Sequence, residues 1–147
     1  MKYIDLELNR WMYHNTVHVH TAYARSTSEY HSYWKEHGAF VSTLPRQVGK
    51  TEAIVKIAKT IMSKNCPKDF IGEVLVVVPA LQYKSFLQAR IHPDKVKSAH
   101  NLEQELQGMN LSNTHLFIDE YDFIPKTTLN NILDHPWKSV SMFSTLR

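Results

Sequence analysis

The chain has 147 residues, 43% hydrophobic and 21% charged, with a formal net charge of +3. This balance suits one folded domain around a single core, and the mild basicity is compatible with nucleic acid without demanding it. The single cysteine, Cys66, excludes an intramolecular disulfide and a cysteine zinc cluster; no apolar run reaches the roughly 20 residues of a bilayer span, and the acid-bearing segment 1–9 has no signal-peptide core, so a soluble cytoplasmic protein is expected.

Residues 1–38 are rich in Tyr, Trp and His and read as a helical cap on a core that occupies 39–147. Ile4–Met12 has the pattern of a short amphipathic helix. Ser26-Thr-Ser-Glu29 offers a capping box for a second helix through Tyr30, Tyr33 and Trp34. His18 and His20 would share one face of a strand as a possible metal pair, but no third ligand stands at a telling spacing, and ordinary surface or core histidines are the better reading.

From Ala39 the pattern changes to alternating strand and helix. A strand is expected over 39–44, and a helix over 51–62 with Ile54, Ile57, Ala58 and Ile61 on one face. Glu73–Val78 is a β-branched run expected to be buried on both sides, closed by Pro79. A helix over 80–90, a short strand over 95–99 and a short helix over 101–109 follow. Thr114–Asp119 is a second buried strand, 127–133 a helix and 139–145 a final strand. Such alternation predicts an α/β fold with a mostly parallel central sheet flanked by helices.

Two segments carry chemistry. Thr43-Leu-Pro-Arg-Gln-Val-Gly-Lys-Thr51 joins the first strand to the first helix of this core. A phosphate-binding loop needs convergent backbone N–H groups, a lysine for the β- and γ-phosphates and a hydroxyl for Mg²⁺. Gly49 permits close approach, while Lys50 and Thr51 supply the other two. The standard pattern has an earlier glycine, where this chain has Leu44. Downstream, Leu116-Phe-Ile-Asp-Glu120 is a buried strand ending in two carboxylates. In a parallel sheet it delivers them to the edge where ligands bind. Asp119 is then placed to hold Mg²⁺, and Glu120 to orient or deprotonate an attacking water.

Pro45-Arg-Gln-Val-Gly-Lys-Thr51 resembles the deviant phosphate loop of the large terminase subunits of tailed phages, which dispenses with the first glycine. Leu116-Phe-Ile-Asp-Glu-Tyr-Asp-Phe-Ile-Pro125 resembles their acidic segment, and Met142–Arg147 their coupling segment. The resemblance covers about residues 39–147. It implies a P-loop NTPase of the additional-strand, RecA/helicase-like kind that hydrolyses ATP with Mg²⁺.

It also implies roles for individual residues. Pro45, Arg46, Gln47, Val48, Gly49, Lys50 and Thr51 would form the nucleotide loop, with Arg46 a cis arginine on the γ-phosphate. Thr51 and Asp119 would hold the metal, Glu120 would act on the water, and Ser144 and Thr145 would sense the hydrolysis state. The implied partners are double-stranded DNA, portal or other packaging proteins and copies of the chain in a ring, in a host cytoplasm if phage-encoded. The chain stops at the coupling strand, so no DNA cleavage is expected of it. Tyr23, Arg25, Tyr30 and Tyr33 are candidates to stack on a base, though an aromatic core is the commoner outcome. Lys64, Lys68, Lys84, Arg90, Lys95 and Lys97 form a basic stretch able to meet phosphate backbones or simply to face solvent. The alternative function is a nucleotide-binding regulatory or interaction protein with little turnover.

Overall fold

Five strands pair into one sheet, and every pairing is parallel. The computed structural model describes residues 3–24, 38–45, 49–80, 84–100 and 102–146. The strands are β1 (Phe40–Leu44), β2 (Glu73–Val78), β3 (Val96–Ser98), β4 (Thr114–Asp119) and β5 (Ser139–Thr145), in the order β1-β5-β4-β2-β3. All six residues of β4 and the last five of β2 are buried, so the apolar runs Leu116–Ile118 and Val74–Val78 are covered on both faces. β1 instead alternates buried and exposed.

The helices are α1 (Tyr3–Ala24), α2 (Lys50–Met62), α3 (Lys84–Arg90), α4 (Leu102–Glu105) and α5 (Lys126–Leu133). One face of the sheet packs Phe40, Val76, Phe117 and Phe143 against Trp11 of α1, Ile54 and Ile57 of α2 and Leu87 of α3. The other packs Leu75, Val77, Leu116 and Ile118 against Leu102 of α4, Ile132 and Leu133 of α5 and Trp137. Helices on both faces make this a three-layer α/β fold. Among the described residues, no helix is long and apolar enough to cross a membrane.

Three expectations change. The first helix does not stop at Met12 but runs to Ala24, because no Gly or Pro interrupts it; Thr and Val after residue 15 only weaken the helical pattern. His18 and His20 are therefore helical and about 200° apart around its axis, not on one strand face. The helix expected over 101–109 ends at Glu105, and the chain then turns at Gly108, φ 83°. The helix expected over 80–90 is described only from Lys84. The second N-terminal helix, with Arg25, Tyr30 and Tyr33, lies outside the described residues.

Helix α1 meets the sheet through a line of polar contacts set in apolar packing. Buried Trp11 stands 5.2 Å from Phe70 and 5.9 Å from Phe117, ring to ring, and its indole N–H donates to Ser141 Oγ at 2.6 Å. The buried Glu7 carboxylate accepts from Ser42 Oγ at 2.9 Å and pairs with Arg10. The small serines of β1 and β5 leave room for these larger groups and satisfy them, as burial of polar atoms requires. Truncating the indole removes both packing and a filled donor. Trp11→Ala is expected to cost about 3–5 kcal/mol in urea unfolding, against less than about 0.5 kcal/mol for Tyr13→Ala, whose side chain is exposed.

His115 is fully buried at the start of β4. Its Nε2–H donates to the Phe70 carbonyl at 2.9 Å and its Nδ1 accepts from Ser139 Oγ at 2.6 Å. Burial is the main cause that pushes its pKa down to about 4 from 6.5, so the ring is neutral in the native state. The unfolded chain takes up a proton near pH 6.5 and the folded one only near pH 4. Stability from this group is thus whole above pH 6.5 and is lost as pH falls towards 4, by about 3 kcal/mol in all. Urea titrations between pH 7 and 4 should show that fall, and His115→Gln should flatten it.

Candidate functional site

Strand β1 ends at Leu44 and Pro45 follows it; Arg46, Gln47 and Val48 lie outside the described residues. Gly49 then caps α2 with φ 90° and ψ 37°, and its carbonyl accepts the first helical bond from Ala53 N at 2.8 Å. A β-carbon here would come no closer than 3.7 Å to Ile4 or Glu52. The left-handed backbone, not lack of space, is what asks for glycine. Lys50 and Thr51 open the helix, so the positive end of its dipole adjoins the loop.

Across the sheet, Asp119 is the last residue of β4 and only 6% exposed. Glu120 follows with φ 49° and ψ 49°, the one non-glycine residue with positive φ among those described. Consecutive strand residues point to opposite faces. The left-handed turn at Glu120 instead lets both carboxylates reach one cation. Lys50 Nζ bonds Asp119 Oδ1 and stands 3.0 Å from Glu120 Oε1. Strand β5 lies between the two halves and adds a third contact: Thr145 Oγ1 donates to Glu120 Oε1 at 2.6 Å.

Burial raises the Asp119 pKa; the Lys50 ammonium opposes that rise and the neighbouring Glu120 carboxylate adds to it. A carboxylate so placed favours a cation at its oxygens. Those oxygens already accept the ammonium of Lys50, which stands in for one.

Of the residues singled out in the sequence, Lys50, Asp119, Glu120 and Thr145 meet at the C-terminal edge of the sheet, and Gly49 and Thr51 flank Lys50 in the chain. Ser144 does not join them. It points to the other face and shares a 3.0 Å hydrogen bond with Thr43 of β1, which ties the two strand ends together. Pro45 stands at the strand end, and Tyr23 lies near the far end of α1. In the basic stretch, Arg90 donates two hydrogen bonds to the Glu52 carboxylate at 2.5 and 2.7 Å, and Lys95 pairs with Glu73 at 2.5 Å, so these two cations are engaged within the fold.

Sequence patterns did not reveal Thr43, nor that Thr145 touches Glu120 itself. The alternation of β5 places Thr145 and Ser144 on opposite faces, and that is the signal that separates them. In comparisons with known proteins, no family model and no curated sequence matches the chain. Gly49→Ala should cost about 1–2 kcal/mol through its left-handed backbone, read as a lowered urea midpoint with an unchanged m-value.

Proposed function

We propose that the chain is a terminase-type ATPase core, a P-loop fold of the additional-strand kind that binds and hydrolyses ATP with Mg²⁺. The observation that carries the proposal is the contact of Lys50 with both Asp119 and Glu120, from residues 69 and 70 positions away in sequence. It joins the two sequence segments expected to hold phosphate and metal. The strand order supports the same reading, since β5 stands between the loop strand β1 and the acidic strand β4.

The donor set suits Mg²⁺, a hard cation that takes oxygen ligands. Asp119 and the Thr51 hydroxyl would hold the ion, which when bound supplies charge neutralisation at the β- and γ-phosphate oxygens. Lys50 would turn from the carboxylates to those oxygens. Glu120 would align the attacking water and accept its proton. Arg46 would offset charge on the transferring phosphoryl group. The loop 45–51 would wrap the phosphates, and Thr145 would hold Glu120 in register. Coupling to movement of double-stranded DNA belongs to the proposal, with portal or other packaging proteins and a homo-oligomeric ring as partners. A ring would set a neighbouring copy against the nucleotide as a second wall.

One observation favours a second reading, a nucleotide-binding regulatory protein with slow turnover. Glu120 is held by both Lys50 and Thr145, which competes with its use on water. Turnover separates the two. For the motor, Glu120→Gln should lower the rate of ATP hydrolysis by about 10²-fold or more while nucleotide binding persists, and Lys50→Ala should abolish binding. Equal rates for wild type and Glu120→Gln, with binding intact, would select the regulatory protein. No binding of nucleotide by the wild type would exclude both.

A further inference from the structure

Two adjacent carboxylates, one of them almost buried, need a cation nearby, and in this fold the cation is built in. Lys50 has a compact ammonium with three donors. One is bonded to Asp119 Oδ1 and Glu120 Oε1 lies 3.0 Å away. The Lys50 and Asp119 side chains are only 13% and 9% exposed, so this is not a solvated surface pair of little consequence. The left-handed backbone at Glu120 and the Thr145 hydroxyl both turn the second carboxylate towards the same ammonium. A divalent metal arriving alone meets oxygens already engaged by a cation. To displace the lysine it must leave an ammonium without its partners in a largely buried place, which is costly. A polyphosphate changes the balance, because it offers the ammonium new anionic oxygens as it leaves the old ones.

We infer that Lys50 is an internal counter-ion that withholds Asp119 and Glu120 from divalent metal until a triphosphate draws it away, so that the site takes metal with nucleotide and not before it. The inference rests on the phosphate-site reading of Lys50 and adds an order of binding to it. Its consequence is a guard against idle metal: both members of the acidic pair are engaged at rest by the group that must move when nucleotide arrives.

The test uses Mn²⁺ alone, followed by electron paramagnetic resonance of the free ion, with no nucleotide present. The Lys50→Met and Lys50→Ala variants should bind Mn²⁺ at least about tenfold more tightly than wild type, because the freed carboxylates gain a charge-assisted partner. Adding Asp119→Asn to Lys50→Met should remove the gain. Equal affinity in wild type and both variants overturns the inference, even in a wild type that binds and hydrolyses ATP. So does a gain that survives Asp119→Asn. The melting temperature gives a second measurement, made on the wild type and on Asp119→Asn. Millimolar Mg²⁺ alone should shift it no more than NaCl of matched ionic strength, and a Mg²⁺-specific rise that Asp119→Asn abolishes overturns the inference. Failure of the wild type to retain a fluorescent ATP analogue would instead overturn the phosphate-site reading, and with it the nucleotide-driven release; the Mn²⁺ comparison, made without nucleotide, separates the two failures.

Discussion

Strand β5 lies between β1 and β4, and the rest of the site depends on that placement. Its pairing with β1 brings Leu44 level with Thr145, and its pairing with β4 brings Asp119 level with Phe143. The phosphate-loop candidate and the acidic strand are thus set one strand apart on each side of β5, about 10 Å across by ordinary strand spacing. Lys50 at the start of α2 and the side chains of Asp119 and Glu120 close that separation between them. It also places a β5 hydroxyl, Thr145, against Glu120. Direct pairing of β1 with β4 would leave no strand from which such a hydroxyl reaches the carboxylate.

The sheet holds its order because its central strands are buried on both faces. β2 at Val74–Val78 and β4 at Leu116–Ile118 are apolar on both sides and gain from cover on both. α2 covers one face with Ile54, Ile57 and Ile61, while α5 and Trp137 cover the other. Towards β1 the covered face becomes partly polar, and α1 answers it group for group: Trp11 with Ser141, Glu7 with Ser42. Large apolar residues at those serines would take the partner from the indole N–H and from one oxygen of the Glu7 carboxylate, and buried unpaired groups are expensive. The N-terminal helix is therefore joined to the core by specific bonds as well as by area. Its first turn lies near Gly49 through Ile4, so it also borders the loop.

Much of this was legible in the sequence where side-chain period and composition agree. Val74–Val78 and Leu116–Ile118 read as buried strands because no polar residue interrupts them, and β2, β4 and β5 occupy the expected residues. The helix after the loop shows its buried face in Ile54, Ile57, Ala58 and Ile61. The first helix runs past its amphipathic stretch Ile4–Met12 to Ala24 although Thr16, Val17 and Val19 are weak helix formers, because no Gly or Pro breaks the backbone. Ser144 and Thr145 looked equivalent as neighbours, yet one bonds Thr43 and the other Glu120 on the opposite face.

By itself the sequence determined the alternation of strands and helices, which strands are buried on both faces, and which residue types stand at the strand ends. Those follow from local period and from the turn chemistry of glycine, lysine and paired acids. Tertiary structure alone decided that Lys50 meets Asp119 and Glu120, that Thr145 and not Ser144 joins them, and that Trp11 is core. These depend on which strands are neighbours and on their register, and strand neighbours are set by how the helices between them cross the sheet. A residue's own sequence surroundings carry no record of a partner 69 positions away; only the order β1-β5-β4 puts the two in reach.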